Sequence, residues 1–214
     1  MTDSGRSFLP AAGRDIFLPL YDPIVKLFGG DAAREALLEQ AGVRPADRVF
    51  DLGCGTGTFD VFIKKRFPQI DLVGLDPDPK ALARARNKAA RAAVAIQFDQ
   101  GFGDQLPYAE ASFDRALSSF MFHHLASEEK LKTLREVHRV LKPGGEFHLA
   151  DFEAPDDHQP GFIGRLLLSH AHLKENSAAN IIALMKAAGF ADAAKVGRRK
   201  KLLGSVAYYK AVKG

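Results

Sequence analysis

The chain has 214 residues, 46% of them hydrophobic, a formal net charge of +4 and a single cysteine, Cys54. That size suits one compact domain, and a lone cysteine excludes an internal disulfide and a cysteine-based metal site. No apolar run reaches the ~18 residues of a membrane helix, and residues 1–13 lack the apolar core of a secretory signal, so a reducing, cytoplasmic setting is expected.

Residues 15–30 are rich in apolar side chains and read as a helical segment. Asp31 is placed to cap a helix through Ala41, which Gly42 ends. Arg48–Leu52 reads as the first strand, 58–67 as the helix behind a glycine turn, 71–75 as a second strand and 78–93 as an Ala-rich helix. Third and fourth strands are expected over 95–98 and 115–119. Ser127 is placed to cap the next helix, in which Leu131, Leu134, Val137 and Leu141 share one face. Pro143-Gly144-Gly145 breaks that helix and leads to a fifth strand, 146–150. A helix over 175–188, ended by Gly189, and two more strands complete the chain. Strands separated by helices predict βαβ units and a parallel sheet. The run Arg198-Arg199-Lys200-Lys201 reads as a solvated hairpin loop, and Arg84, Arg86, Lys88 and Arg91 as a solvated helix face.

The chemistry concentrates in Val49-Phe50-Asp51-Leu52-Gly53-Cys54-Gly55-Thr56-Gly57-Thr58. Glycine lets a backbone turn sharply and come close to a ligand, because no Cβ stands in the way. A strand, a glycine turn and a helix N-terminus together make a nucleotide-cofactor site in doubly wound folds. A dinucleotide fingerprint needs a third glycine where Thr58 stands, so the pattern here is D-x-G-x-G-x-G instead. Asp76, at the end of the second apolar strand, occupies the place where an acidic residue binds ribose hydroxyls. Pro77 beside it suits the face of an adenine ring.

This pattern resembles motif I of the class I S-adenosylmethionine-dependent methyltransferases, in the branch of the ubiquinone/menaquinone-type small-molecule enzymes. The likeness extends through Gly101-Phe102-Gly103-Asp104-Gln105-Leu106-Pro107 and Ser112-Phe113-Asp114. It continues in Ser118-Ser119-Phe120-Met121-Phe122-His123-His124-Leu125 and in Arg139-Val140-Leu141-Lys142-Pro143-Gly144-Gly145. It implies a Rossmann-like doubly wound α/β fold, with a seven-stranded sheet that is mostly parallel and has an antiparallel C-terminal strand. It implies S-adenosyl-L-methionine as cofactor, held by Asp51, Gly53, Cys54, Gly55, Thr56, Gly57, Asp76, Pro77, Gly101, Phe102, Ser119 and Phe120. Phe102 stands where the family usually has an adenine-contacting Asp, so backbone groups of Gly101 and Phe102 are expected there, with Asp104 a nearby carboxylate.

The implied reaction moves a sulfonium methyl to a small, partly apolar acceptor. His123 is the first candidate for a general base, with His124 beside it. The family's N-terminal helical lid corresponds to residues 1–30, where Tyr21 can point a hydroxyl at the site; plain packing on the sheet is the alternative. Residues 31–214 form the S-adenosylmethionine-binding domain. His170 and His172 read as structural or surface groups, and no metal is expected. Neither nucleic acid nor a membrane span is expected as a partner. An RNA methyltransferase, suggested by the positive charge, and a non-catalytic cofactor-binding protein remain open readings.

Overall fold

A computed structural model describes residues 30–153, 176–201 and 204–214. The 1–30 lid with Tyr21, and His170 and His172, therefore lie outside the described residues, save for Gly30. Helix α1 (Gly30–Ala41) leads to β1 (Arg48–Leu52), α2 (Thr58–Arg66), β2 (Asp71–Asp76), α3 (Pro79–Arg91), β3 (Gln97–Gln100) and β4 (Phe113–Ser119). A short turn of 3₁₀ helix (Phe122–His124) precedes α4 (Ser127–Val140) and β5 (Leu141–Glu153). Helix α5 (Ala178–Ala187) and the strands β6 (Asp192–Lys201) and β7 (Gly204–Val212) follow.

The seven strands lie in the order β3-β2-β1-β4-β5-β7-β6. β1 to β5 run parallel, and β7 pairs antiparallel with both β5 and β6. This is the expected doubly wound sheet. The strand order reverses between β1 and β4, and in open α/β sheets ligands bind at such a switch point, outside the carboxyl ends of the strands.

Alternation along β1 sends Val49 to one face and Phe50 and Leu52 to the other. Val49 packs with Leu37 and Leu38 of α1 and with Phe59 and Ile63 of α2. Phe50 and Leu52 pack with Leu134 and Val137 of α4 and with Ile181 and Met185 of α5. Asp51 shares the face of Val49, so its carboxyl is directed toward α1 and α2.

Most boundaries differ by a few residues from the sequence expectation, and four differences carry a physical reason. Helix α4 starts at Ser127 itself, and its end is closed by Glu129, whose carboxylate accepts the Ala126 N–H at 3.1 Å. α1 already includes Gly30, so Asp31 sits in its first turn. Strand β5 begins at Leu141, opposite Phe113, and takes up residues 142–145 as an irregularity in its register. The basic run is not a loop: Arg198 to Lys201 pair with Ala207 to Gly204 along β6. β6 is an edge strand, where charged side chains deter pairing with other chains. Arg198 also pairs with Glu153 at 2.9 Å, and Lys195 bonds the same carboxylate.

Candidate active site

The turn after β1 places Gly53, Gly55 and Gly57 at φ of 76°, 54° and 72°, in the left-handed region. Gly53 and Cys54 both donate their N–H to Leu75 O, at 2.8 and 3.1 Å, which ties the turn to the end of β2. A Cβ on Gly57 would lie 2.6 Å from Ala85 Cβ and 2.9 Å from Ala85 Cα, so glycine here permits close packing of α2 on α3. A Cβ on Gly53 would meet Met121 Cγ at 2.5 Å. Thr56 and Thr58 accept hydrogen bonds from Lys88 Nζ at 2.8 and 2.6 Å. Lys88 thus braces the turn from α3 and is not part of the solvated face expected of it. Burial pushes the Cys54 thiol well up, so it stays protonated and is no nucleophile.

Asp76 accepts the Gly55 N–H and the Asp78 N–H, each at 2.9 Å. Burial raises its carboxyl to about 6, against the lowering by those two N–H groups. Pro77 is half-buried, and its carbonyl accepts from Gln100 Nε2 at 3.2 Å. Gly101 donates to Asp76 O at 3.2 Å, and Phe102 and Asp104 are half-buried in the loop beyond.

Asp51 meets two partners absent from the sequence reading. Asp60 on α2 is fully buried and lies close to the Asp51 carboxyl. Arg34 on α1 is buried beside both. Burial raises Asp51 and Asp60; each carboxyl is further raised by a like charge, Asp76 for Asp51 and Asp51 for Asp60, while Arg34 offsets part. Asp51 Oδ1, both Asp60 carboxyl oxygens and Arg34 Nε have no hydrogen-bond partner among the described residues. An acidic residue on the buried stripe of α2, with Phe59 and Ile63, was the sequence signal for Asp60.

The loop after β4 faces this turn. Ser118 Oγ donates to Leu52 O at 2.9 Å, and Ser119 is buried beside it. Phe120 has φ 57°, a strained conformation for a bulky residue, and its N–H is held by Ala150 O at 2.9 Å. The 3₁₀ turn then carries His123 under Asp151 of β5. His123 Nδ1 lies 2.6 Å from Asp151 Oδ1, while the His123 and Phe152 N–H groups donate to the same carboxylate at 2.8 and 2.7 Å. Burial would raise Asp151, but the charge and ring N–H of His123 and the two backbone donors outweigh it and hold the carboxyl below its usual range. The His124 ring packs against His123 with centroids 4.0 Å apart and the planes tilted by 44°. Burial, then the charge of His123, lowers His124 to about 4, which makes it a weak base. Phe152 stands edge-on to His123 at 5.1 Å and contacts Phe120 at the same distance.

The structure therefore gathers Asp51, residues 53–57, Asp76, Ser119, Phe120 and both histidines at the carboxyl edge of the sheet. Asp60, Arg34, Lys88 and Asp151 join them from other elements.

Comparison with known proteins agrees with this geometry. Residues 49–145 match the family model described as a methyltransferase domain. The chain is 33% identical over 151 residues to a demethylmenaquinone methyltransferase of Thermus thermophilus, covering 69% of this chain and 68% of that one. A demethylmenaquinone methyltransferase of Deinococcus radiodurans is 37% identical over 137 residues, which cover 64% of this chain. The matched region spans only 56% of the Deinococcus protein's length. Among solved structures, phosphoethanolamine N-methyltransferase 2 of Haemonchus contortus superposes with a TM-score of 0.80 at 16% identity, over 97% of this chain and 60% of that one. That likeness concerns the fold.

Proposed function

Because this chain belongs to the class I S-adenosylmethionine-dependent methyltransferases, we propose that it moves a methyl group by in-line displacement to a small, partly apolar acceptor that gives up a proton to His123. The observation that carries this reading is the buried His123–Asp151 pair beside the glycine turn. The two bacterial relatives, both demethylmenaquinone methyltransferases, support an aromatic, apolar acceptor.

The residues fit the cofactor. The orphaned Oδ1 of Asp51 suits a bound ammonium, and a Cβ on Gly55 would meet nothing within 4 Å, so a ligand can approach the backbone there. Asp76 would take the ribose hydroxyls, Pro77 and Phe102 would flank the adenine, and Ser119 and Phe120 would line the methionine end. Bound S-adenosylmethionine supplies a methyl group already activated as a sulfonium. What remains for the chain is to desolvate and align the acceptor, a contribution on the order of 7–11 kcal/mol.

His123 adds proton transfer. Asp151 holds Nδ1 of the ring, which leaves Nε2 as the atom that can take the acceptor's proton. His124, a weak base packed against His123, forms a wall and leaves the proton to its neighbour. Phe120 and Phe152 present apolar surface that excludes water. We place the enzyme in the cytoplasm, acting on small molecules; no helix among the described residues is long and apolar enough to cross a membrane.

The test is a cofactor-consumption assay over thiols, amines, phenols and quinols. Turnover is expected with the aromatic hydroxyl compounds, falling by about 10²–10⁴-fold in His123→Ala with cofactor affinity unchanged. Equal rates in the two proteins remove the base role. Tight cofactor binding with no turnover on any acceptor favours the non-catalytic reading.

A further inference from the structure

The crossovers β1-α2-β2 and β2-α3-β3 step in the same direction along the sheet, so their right-handedness puts α2 and α3 side by side on one face. Helices α4 and α5 pack on the other face, against Phe50 and Leu52. Together α2 and α3 carry eight of the chain's 30 Lys and Arg residues and one of its 26 Asp and Glu, the buried Asp60. The rest of the chain is therefore net negative, and the whole positive excess stands on these two helices.

Elsewhere the cations are balanced. Lys132 pairs with Glu128, Arg139 with Glu136, Lys142 with Asp114 and Lys210 with Glu146. Lys65, Arg66, Arg84 and Arg91 have no carboxylate partner among the described residues. Like charges gathered in this way repel one another, a cost to the fold that an outside anion relieves.

The patch has a shape. On α3, Arg84, Lys88 and Arg91 follow one another at spacings of four and three, so they share a stripe. Lys65 of α2 joins them across a recess of about 470 Å³, lined by Thr58, Val61, Lys65, Lys88, Arg91 and Ala92. Val61 and Ala92 give that recess apolar walls. Phe62 is 40% exposed, and Lys65 and Arg66 follow it one turn along α2. Glu35 and Glu39 of α1 line a second recess beyond Phe62 and bound the patch.

An exposed aromatic beside unpaired cations matches an anionic bilayer: the cations meet lipid phosphates while the ring enters the boundary between headgroups and acyl chains. RNA is less well matched, since the recess holds no aromatic side chain on which a base could stack. We infer that the α2–α3 face is a docking surface for an anionic phospholipid bilayer, with a headgroup phosphate between Lys65 and Arg91. Docked so, the carboxyl edge of the sheet stands at the rim of the contact, where an acceptor dissolved in lipid can reach it; this consequence rests on the partly apolar acceptor proposed above.

Co-flotation with vesicles tests the docking without turnover, so its result stands apart from that of the acceptor screen. The parent should float with vesicles of phosphatidylcholine and phosphatidylglycerol in equal parts, stay behind with phosphatidylcholine alone, and come off as salt is raised. Each Lys or Arg at such a surface is worth about fivefold in partition, so Lys65→Gln with Arg91→Gln should weaken binding by about 25-fold. Lys132→Gln with Lys186→Gln changes the net charge equally on α4 and α5, across the sheet, and should leave binding within about twofold. Phe62→Ser should weaken it several-fold without altering the salt dependence. All five positions are exposed, so the variants should keep the parent's fold. Equal loss in the two charge pairs means attraction by net charge alone and overturns the assignment. So does a parent that binds no vesicle, or one that binds a poly(U) RNA through Lys65 and Arg91 in preference to the anionic vesicles.

Discussion

Asp51 and Asp151 are both about 1% exposed and sit at the same edge of the sheet, yet their neighbours drive them in opposite directions. At Asp51, burial first and then the like charge of Asp76 push the proton affinity up, against the pull of Arg34. Asp151 faces the His123 ring and two backbone N–H groups, and these overcome the same burial and hold it ionised. Burial raises both carboxyls, and only at Asp151 are the partners strong enough to reverse the sign. The first site is short of donors and suits a cationic ligand. The second has its donors built in and suits a fixed base.

The sharpest way to break this contrast is to remove each carboxylate in turn and measure urea unfolding. Asp151→Ala leaves the His123 and Phe152 N–H groups buried without an acceptor and should cost about 3–5 kcal/mol. Asp60→Asn removes a buried carboxyl whose charged form burial disfavours and should stabilise the free protein at neutral pH. If both variants lose stability alike, burial alone governs the two sites and the contrast fails.

Titration sharpens the same comparison. A carboxyl raised on folding contributes stability that is fully present below its unfolded value and lost as pH rises through the folded one, which applies to the Asp51–Asp60 pair. Asp151, lowered on folding, contributes stability above its unfolded value that is lost as pH falls through the folded one. A third group adds an acid limb elsewhere. His148 is fully buried, with Gln40 donating to Nδ1 and Glu146 accepting at Nε2, and burial lowers it to about 4. Its neutral form is the folded one, so stability should fall as pH drops from about 6.5 toward 4, by roughly 3 kcal/mol. Unfolding of His148→Gln followed across that window should lack this slope.

The turn between the two sites gives a last pair of effects. Gly57→Ala drives a Cβ into the backbone of Ala85 and should lose about 2–3 kcal/mol, whereas Gly55→Ala meets nothing and bears only the conformational cost, about 1 kcal/mol. Thermal melts rank the two, and a reversed order would show that the turn shifts to relieve the clash.

Much of the geometry around the glycine turn was legible in the chain itself. The glycines at 53, 55 and 57 and the acid at 76 lie on consecutive elements of one strand-turn-helix-strand unit, so their spacing carries the geometry. Both histidines were placed by the loop after β4 in the same way. The basic run at 198–201 misled, because a charged segment looks alike in a hairpin loop and on an edge strand. Lys88 misled for a related reason: a lysine on a helix face reads as solvated until a neighbouring turn brings it two hydroxyls.

By itself, then, the sequence determined the order of strands and helices, the glycine turn and the acid that follows it, since these rest on backbone conformation and short spacings. Only the tertiary structure decided that Asp60 and Arg34 meet Asp51, and that Asp151 meets His123. Those pairings join residues from separate elements, and which buried charges face one another depends on strand register and helix packing, which no local pattern encodes.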